Sequence, residues 1–470
     1  MDRVPAKDPA AASGAGDGIT IAAALAERIV ALRPGALPAG LREVIEDLVL
    51  DIVGLCLAAR QTDYVRALLT ALSPEGGSAT AIGQSQRLDA AGAALVNGTA
   101  AHGEDFDDTF EGGPVHAGVV AVPAVFAAAE RLGLDGPAVL KGLAVGLETI
   151  CRLSLVAPKR VHKAGFHPTS VFGAMGAASG VAAAMDLDRA GIVNALGIAG
   201  SMASGIIEYL ADGSWTKRMH PGWAAQAGLR AALMAASGFR GPASVFEGTH
   251  GLFNGFAHTR EGDYSKLLDG FGRHWHAATI AFKPYACGTM THPYIDCAAR
   301  LAKRGVKAED VASIVCEVAE GTVHRLWEPL ASKQSPPNAY AAKFSTPFCV
   351  ALALVTGDAG LAAFTEAAVA DERLRTLAGK VGYVIDPDNP YPNDYTGHVR
   401  VRLRDGRILE ERQAHLRGGA HERLDRAQIE AKFFANAAFG GWTEGQAKAA
   451  HGFVRGLFTA ATVDLSPLRG

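Results

Sequence analysis

Four segments in the first half of the chain are almost continuously apolar, and they constrain the fold more than any other feature. They span residues 89–101, 119–132, 137–156 and 169–185, and consist mainly of small residues. A helix that is apolar on every side has no face to present to water, so other elements must enclose it. The chain has 55 glycines and only 7% aromatic residues, which favours closely packed helices over a β-sandwich. The sequence therefore predicts a large helical domain with buried central helices.

Other segments with apolar residues at helical spacing predict further helices around this core. They span residues 19–32, 41–59, 188–209, 291–303, 426–438 and 443–458. Thr443 is the expected N-cap of the last one. Pro221 is expected in the first turn of a helix that runs to residue 237, because proline is tolerated at that position.

The residue pattern changes after about residue 280, from helical spacing to alternating and β-branched segments. Alternating or β-branched segments predict strands at residues 312–319, 381–385, 398–403 and 407–412. The last two are joined by Asp405-Gly406, a dipeptide typical of a tight hairpin. Helices are predicted between the strands at residues 343–356 and 361–368.

These patterns predict a mainly α protein with three parts. A helical domain would comprise residues 19–279 together with 414–470, so that both chain ends contribute to it. Residues 280–413 would form a smaller α+β domain. Residues 1–18, which are polar and rich in alanine and glycine, would form a flexible tail.

Composition excludes several classes of function. The chain has 470 residues, of which 49% are hydrophobic and 20% charged, as in a well-buried globular protein. A net charge of −3 gives no overall attraction for nucleic acid or an anionic membrane. No stretch has the ~18 apolar residues of a membrane span, and the start of the chain lacks the features of a secretory signal. Six scattered cysteines are expected to be reduced thiols of a cytoplasmic protein.

The stretch from residue 97 to 118 carries the densest set of chemical groups. If the preceding helix continues through Thr109, the 3.6-residue period places His102, Asp105 and Thr109 on one face. Asp108 would lie at the edge of that face and Asp107 on the opposite side. The turn at residues 111–114 would then bring His116 back towards the same face.

Three further clusters could carry chemistry. His167 directly precedes a predicted helix start, where the partial positive charge lowers the pKa of an imidazole and suits a nearby anion. Lys217, Arg218 and His220 precede the helix expected at Pro221. Lys283 lies at the junction of the two predicted domains, where ligands often bind. The alternatives are a histidine satisfied by a nearby carbonyl group, a solvated basic turn and a surface lysine.

Metal and phosphate sites receive less support from the sequence. Asp107, Asp108 and Glu111 form a DDxxE-like pattern typical of magnesium-dependent isoprenoid synthases, but no second acidic motif follows. No HExxH motif or paired Cys/His spacing indicates zinc. The glycine-rich runs at residues 14–18 and 173–180 do not follow strands, which argues against a phosphate-binding loop.

Four motifs in order resemble the MmgE/PrpD family. They are NGTAAHGEDFDDT from residue 97, GFHPTSVFGAMGAA from residue 165, WTKRMHPGWAAQAG from residue 215 and KPYACGTMTHPYID from residue 283. The resemblance extends from about residue 20 to about residue 460. It implies a helical domain built from both chain ends, a smaller α+β lid domain and a homodimer. It also implies an active site between the domains that needs no metal and no organic cofactor.

The resemblance implies roles for particular residues. The expected catalytic residues are Asp105, His116, His167, Lys217 and Lys283. The expected substrate-binding residues are Thr109, Lys217, Arg218, His220 and Lys283. Three positions depart from the family pattern: Gly288 stands where the decarboxylase members have a histidine, Ala117 where proline is usual, and Phe348 where a tyrosine is common.

The implied reaction makes or breaks a bond at the carbon beside a carboxylate. We expect a lyase acting on a small di- or tricarboxylic acid, by dehydration as in 2-methylcitrate dehydratases. Lys217 and Lys283 would bind substrate carboxylates, His167 or Asp105 would move the proton, and His116 would assist the leaving hydroxyl group. Epimerisation and decarboxylation are the nearest alternatives. A magnesium-dependent isoprenoid enzyme and a non-catalytic carboxylate-binding protein are more remote ones.

Overall fold

The computed structural model describes residues 18–72, 76–113, 115–392 and 394–470. The predicted tail therefore lies outside the described residues except for Gly18, and Pro114 of the predicted turn lies outside them too. Within the described residues, the helices are α1 Ile21–Ala31, α2 Ala39–Ala59, α3 Asp63–Leu72, α4 Ala90–His102, α5 Gly118–Leu132, α6 Gly136–Val156, α7 Arg160–Lys163, α8 Pro168–Ala184, α9 Arg189–Met202, α10 Thr216–Ala236, α11 Leu252–Ala257, α12 Ser265–Leu268, α13 His292–Lys303, α14 Glu320–Leu326, α15 Leu330–Gln334, α16 Ala339–Ala342, α17 Thr346–Thr356, α18 Glu366–Ala370, α19 Glu372–Ala378, α20 Arg426–Phe439 and α21 Glu444–Gly456. The strands are β1 Ala79–Thr80, β2 Arg87–Leu88, β3 Val311–Val318, β4 Val381–Ile385, β5 Gly397–Leu403 and β6 Ile408–Gln413. The protein is mainly α with a small amount of sheet, as predicted.

The four apolar segments form α4, α5, α6 and α8, and these helices make the centre of the molecule. α8 packs against α6 on one side and α10 on another, and α5 contacts α4, α6, α8 and α10. Every residue of α8 is buried. The prediction of enclosed small-residue helices is confirmed.

A backbone contact between two glycines sets the position of α4 against α10. A Cβ added at Gly98 would lie 2.6 Å from the Cα of Gly222, and one added at Gly222 would lie 2.1 Å from the carbonyl oxygen of Leu95. Only glycine allows the two backbones to come this close. The contact brings the C-terminal end of α4 next to the N-terminal end of α10, and both ends carry candidate site residues.

Helix α10 starts earlier than predicted. Pro221 lies inside it rather than in its first turn, and the helix begins at Thr216. A proline in a helix removes the hydrogen bond to the carbonyl group four residues earlier, here that of Lys217, and this loss falls close to the helix start. Lys217, Arg218 and His220 are therefore part of the helix and do not precede it.

Two other predicted helices differ in extent. The segment predicted at 188–209 is helical only from Arg189 to Met202. The segment predicted at 361–368 forms a short 3-10 turn, Leu361–Ala363, followed by α18. The hydroxyl group of Thr365 caps α18 by accepting from the Ala368 N–H, so the helix begins after the residue that was expected in its middle.

The sheet has the strand order β4-β3-β5-β6. β3 is parallel to β4, with Ile314 opposite Val381, and antiparallel to β5. β5 and β6 form the predicted hairpin, in which Gly406 adopts a φ of 90°. α13 packs against β5, β6 and α17. The strands predicted in this part of the sequence are confirmed within one or two residues at each end.

The C-terminal helices return to the first part of the chain. α20 lies along α2, and α21 contacts α2 and α20. Thr443 caps α21 as expected. The division into domains and a lid role for residues 280–413 stay predictions.

The six cysteines are free thiols and all are buried. Among the described residues, no helix combines the length and apolar character needed to cross a membrane.

Candidate active site

Helix α4 ends at His102, and this ending decides the geometry of the acidic loop that follows. In a continued helix, the Thr109 N–H would bond to the carbonyl group of Asp105. Instead the Thr109 N–H donates to the carbonyl oxygen of Ala281 at 3.0 Å, and the Asp105 carbonyl accepts from Lys283 Nζ at 2.9 Å. Asp105 itself has a φ of 56°, in the left-handed region. The predicted helical phase through Thr109 is therefore wrong.

The start of the loop is shaped by a tyrosine from α3. A Cβ at Gly103 would lie 2.1 Å from the Tyr64 hydroxyl oxygen, so glycine is required for the ring to pack against the end of α4. Tyr64 also donates to Glu104 Oε1 at 3.1 Å.

Asp105 is held by two lysines from distant parts of the chain. Its Oδ1 accepts from Lys217 Nζ at 3.2 Å and from Lys283 Nζ at 3.0 Å. All three residues are largely buried, with Asp105 only 3% exposed. Burial alone would raise the pKa of Asp105, but the ammonium groups of Lys217 and Lys283 outweigh it and hold that pKa well below its usual range. Burial works against the charge of Lys217, yet the Asp105 carboxylate raises the pKa of Lys217 above its usual value. The three side chains therefore form an ion cluster of two cations, Lys217 and Lys283, and one anion, Asp105.

Lys283 reaches Asp105 because its segment pairs with the acidic loop. Thr109 and Ala281 exchange two main-chain hydrogen bonds, of 3.0 and 2.8 Å. The Phe282 N–H donates to the carbonyl oxygen of Gly418 at 2.9 Å. Lys283 is 2% exposed, so the surface-lysine alternative is wrong.

Four histidines collect beside this ion pair. His102 is the last residue of α4, His167 is the N-cap of α8, His220 lies in α10 and His116 precedes α5. The ring centroid of His102 is 4.9 Å from that of His116 and 5.9 Å from that of His167. His167 Nδ1 and His220 Nδ1 are 3.2 Å apart, within hydrogen-bond distance.

Three of these imidazoles are held in the neutral state. Burial lowers the pKa of His102 to about 4 and that of His220 to about 4. Burial, assisted by His102 and His220, also holds the pKa of His167 well below its usual range. Neutral imidazoles in a buried cluster can accept a proton from a substrate. The alternative of His167 satisfied by a carbonyl group is not what the described contacts show, since its Nδ1 meets another histidine.

Asp107 faces the histidines and not the opposite side, which corrects the helical-phase expectation. Its Oδ2 lies 2.8 Å from His102 Nδ1 and 3.1 Å from His116 Nδ1. Burial would raise the pKa of Asp107, but His102 and His116 lower it well below its usual range. His116 Nδ1 also lies 2.6 Å from the carbonyl oxygen of Asp108.

Thr109 and Arg218 occupy different positions relative to this cluster. Thr109 Oγ1 lies 3.4 Å from His116 Nδ1 and 3.5 Å from Thr289 Oγ1, so Thr109 borders the histidines. The guanidinium carbon of Arg218 lies 4.6 Å from the centroid of Tyr64 and 4.4 Å from that of Tyr340. Arg218 is thus held between two aromatic rings by cation–π contacts.

The DDxxE-like residues do not converge on one point. Asp107 faces the histidines, Asp108 Oδ2 accepts from the N–H groups of Ala117 and Gly118 at the start of α5, and Glu111 Oε1 accepts from the Ala420 N–H. They therefore do not form the shared carboxylate face that a diphosphate-bound magnesium cluster requires.

One group of side chains has the composition of a metal site. The ligand atoms of His102, Asp107 and His116 all lie within 4.8 Å of one another. His102 Nδ1 is hydrogen-bonded to the Asp107 carboxylate, and His116 Nδ1 lies 3.1 Å from the same carboxylate oxygen. The expectation of a metal-free site stays a prediction.

The three departures from the family pattern lie in different environments. Phe348 is fully buried in α17. Ala117 is buried, and its N–H donates to Asp108. A Cβ added at Gly288 would meet its nearest atoms at 3.4–3.8 Å, which is ordinary van der Waals contact.

The structure thus brings six of the predicted site residues into one buried cluster and places Arg218 in an aromatic sandwich near it. The clustered residues are Asp105, Thr109, His116, His167, Lys217 and Lys283, with His220 joined to His167. Two residues were not selected from the sequence, and a third, His102, was placed on the same face as Asp105 but was given no role. Asp107 belongs to the first motif and was expected on the opposite side. Lys343, which donates to the carbonyl oxygen of Glu104 at 2.8 Å and to Glu104 Oε2 at 2.6 Å, left no local signal.

Comparison with known proteins covers nearly the whole chain. Residues 23–265 match the MmgE/PrpD N-terminal domain and residues 285–451 match the MmgE/PrpD C-terminal domain. A cis-aconitate decarboxylase from Homo sapiens is 28% identical over 443 residues, which cover 89% of this chain and 88% of that protein. A cis-aconitate decarboxylase from Aspergillus terreus is 27% identical over 379 residues, 74% of each chain. The cis-aconitate decarboxylase-like protein oryM from Aspergillus oryzae is 26% identical over 415 residues, 83% of this chain and 85% of its own.

Proposed function

The chain belongs to the MmgE/PrpD family, and we propose that it is a lyase that acts on a small di- or tricarboxylic acid. The observation that carries this proposal is the convergence of two buried lysines, Lys217 and Lys283, beside a cluster of neutral histidines. Cations that bind carboxylates and imidazoles that move protons are the two components such a reaction needs. The names of the similar proteins, which are decarboxylases of a small carboxylic acid, agree with the same class.

The two lysines are suited to bind a substrate carboxylate. Together they carry two positive charges, and Asp105 supplies one negative charge, so one positive charge is left for a ligand. In a buried setting this attraction is stronger than it would be in water. Lys217 Nζ also lies 5.5 Å from the centroid of Phe344, which gives the cationic side of the site an apolar border.

His167 is a better candidate for the proton acceptor than Asp105. Asp105 Oδ1 already accepts hydrogen bonds from the ammonium groups of Lys217 and Lys283, so this carboxylate is engaged as their counter-ion. Among the described residues, His167 is a neutral imidazole without an ammonium partner, and its Nδ1 contacts His220. Of the two candidates for proton transfer that the sequence left open, His167 is therefore preferred to Asp105.

We propose dehydration as the reaction. His167 would take the proton from the carbon beside the bound carboxylate, and the electron pair of that C–H bond would form the C=C bond. The C–O bond on the next carbon would break, and the leaving hydroxide would receive the Nε2 proton of the imidazolium form of His116, which would give water and a neutral imidazole. Lys217 and Lys283 would stabilise the negative charge that develops on the carboxylate.

Decarboxylation is the second candidate, because the similar proteins carry that name. Gly288 has no side chain to supply the imidazole expected in decarboxylase members of the family, which favours dehydration. The deciding experiment is an NMR screen of the purified protein against methylcitrate, citrate, aconitate, tartrate and aspartate-derived acids. Water loss from a hydroxy acid supports dehydration, release of CO2 supports decarboxylation, and exchange of the α-proton without either supports epimerisation.

Two variants test the proposed mechanism. His167→Ala should reduce turnover by ~100-fold or more, since an acid–base group typically contributes that much. Asp105→Asn should reduce turnover as well, because the Asp105 carboxylate holds Lys217 and Lys283 in place. If both folded variants keep turnover within about threefold of the wild-type value, the mechanism fails. Stabilisation by citrate-like acids without any conversion would instead support a carboxylate-binding protein.

We also propose that the protein is a homodimer. Four exposed apolar side chains lie within residues 206–223 and support the idea of a covered surface: Ile206, Leu210, Trp215 and Trp223 are 61%, 66%, 48% and 41% exposed. Light scattering after size exclusion should give twice the chain mass for the wild type and a smaller mass for Leu210→Glu. A monomeric wild type would overturn the proposal.

A further inference from the structure

We propose that Asp107 is a positioning residue of the active site, which fixes the tautomer of His102 and supplies the carboxylate that faces His116 Nδ1. The inference rests on the proposed function for its kinetic consequence. Its structural part, the protonation pattern of the two imidazoles, can be tested without any substrate.

The contacts of Asp107 place it at the centre of the pair. One oxygen, Oδ2, serves both imidazoles, at 2.8 Å from His102 Nδ1 and 3.1 Å from His116 Nδ1. The Asp107 and His102 side chains are both 0% exposed, and that of His116 is 14% exposed. A buried carboxylate is costly to maintain unless nearby donors satisfy it. Here the donors are two imidazoles, and neither is a permanently charged group.

The tautomer of each histidine follows from its acceptors. An ionised carboxylate can only accept a hydrogen bond, so the His102 Nδ1 that faces Asp107 must carry a hydrogen. His116 Nδ1 is fixed twice, because the carbonyl oxygen of Asp108 at 2.6 Å can also only accept. In the neutral form of each ring, Nε2 therefore carries no hydrogen.

The two histidines depend on Asp107 to different degrees. Asp107 is the hydrogen-bond partner of His102 Nδ1, while His102 Nε2 and Asp107 Oδ1 are buried without a partner. Removal of the carboxylate should therefore release the tautomer of His102. His116 should keep its Nδ1 hydrogen through the carbonyl oxygen of Asp108, and should lose only the carboxylate that lies 3.1 Å from Nδ1.

The groups around His116 come from every surrounding element. α4 contributes His102, the N-cap of α8 contributes His167, and the acidic loop contributes Asp107 and Asp105. The Lys217 ammonium of α10 reaches the cluster through its contact with Asp105. Asp105 is thus already matched to cations, which leaves Asp107 as the carboxylate in contact with an imidazole that must carry a proton to the leaving group.

The variant Asp107→Asn removes the negative charge of the side chain but keeps its shape. Its amide oxygen can replace Oδ2, and its amide nitrogen would occupy the place of Oδ1, which has no partner. We expect turnover at neutral pH to fall by ~10–100-fold with KM changed by less than about threefold, since the carboxylate that faces His116 is lost but substrate binding is not. A purely structural defect would change KM as much as turnover, and turnover within about threefold of the wild-type value would contradict the kinetic part of the proposal.

Selective 15N labelling of histidine tests the tautomers directly. In the wild type, His102 and His116, assigned with His102→Gln and His116→Gln, should both show a hydrogen on Nδ1. In Asp107→Ala, His102 should lose this signature and His116 should keep it. A wild-type His102 with its hydrogen on Nε2, or no change at His102 in Asp107→Ala, would overturn the inference even if no substrate is found.

Two controls complete the experiment. Asp296→Asn removes another buried carboxylate, which accepts from Tyr285 and Arg417, and should leave both histidine spectra unchanged. Elemental analysis of the purified protein tests the metal alternative. A stoichiometric divalent ion together with unprotonated Nδ1 atoms would show that the three side chains are ligands, and would overturn the proposal.

Discussion

Asp105 and Asp107 lie two residues apart in one loop and are buried to the same degree, yet they have different partners. Asp105 faces two ammonium groups, at 3.0 and 3.2 Å. Asp107 faces two imidazoles, at 2.8 and 3.1 Å. A lysine is a cation across the physiological pH range, whereas an imidazole is the side chain most often used to transfer protons. In the proposed mechanism, the same residue type therefore serves anion binding on one side and proton transfer on the other.

The largest expected effect comes from removing a cation on the Asp105 side. Lys283→Ala should lower kcat/KM by ~100-fold or more, because it removes a charge that stabilises the developing anion. It should also lower the free energy of unfolding by roughly 3–5 kcal/mol, since Asp105 is left buried with fewer cations. Both quantities can be measured by steady-state kinetics and urea unfolding.

Lys343→Ala is a matched control for that variant. Lys343 is also buried, and it also binds a carbonyl oxygen and a carboxylate, those of Glu104. It should cost a similar amount of stability but less than about tenfold in kcat/KM, because Lys343 is outside the histidine cluster. Equal losses of activity in the two variants would mean that the lysines act only by holding the loop.

The next effect concerns stability on the Asp107 side as the pH falls. Burial lowers the pKa of His102 from 6.5 to about 4. Between these values the unfolded chain binds a proton that the folded protein excludes, so stability is present above pH 6.5 and is lost as the pH falls towards 4. The loss from this group is on the order of 3 kcal/mol. Urea unfolding between pH 7 and pH 4 should therefore show a flatter dependence for His102→Gln than for the wild type.

Asp105→Asn provides the contrast within the same pH window. The pKa of Asp105 is lowered, so its contribution is present above its unfolded value of ~3.9 and is lost only as the pH falls through the lower folded value. This variant should lose stability at all pH values between 7 and 4 without flattening the curve. If the free energy of unfolding of Asp105→Asn depended less on pH than that of the wild type, Asp105 and the histidines around Asp107 would not respond to pH separately.

The smallest effects are expected from glycine substitutions in the backbone around the site. Gly98→Ala would put a methyl group 2.6 Å from the Cα of Gly222, and it should cost about 1–3 kcal/mol because α4 and α10 must move apart. Gly288→Ala meets only ordinary contacts and should change the free energy of unfolding by less than about 1 kcal/mol. Thermal unfolding of the two variants provides the comparison. A larger cost at Gly288 would mean that the space beside Phe344 is not free.

The sequence alone determined most of the secondary structure and the identity of the cluster. Four apolar small-residue segments could only be buried helices, and alternating segments with Asp405-Gly406 could only pair as a hairpin. These features are local, so a pattern of a few residues is enough to specify them. The motifs also selected Asp105, His116, His167, Lys217 and Lys283 before their positions were known.

Only the tertiary structure decided how the acidic loop is arranged. The prediction assumed a helix that continues through Thr109, and helical periodicity then placed Asp107 on the face opposite Asp105. Nothing within the motif shows that α4 ends earlier, at His102. The ending depends on Lys283, which lies 178 residues after Asp105 and donates to its carbonyl oxygen. It also depends on Ala281, whose carbonyl oxygen accepts from the Thr109 N–H. In a continued helix these two groups would bond to each other. Likewise, Arg218 lies between Tyr64 and Tyr340, from two distant segments. A local pattern specifies which groups a chain carries, but contacts between distant segments decide which way those groups face.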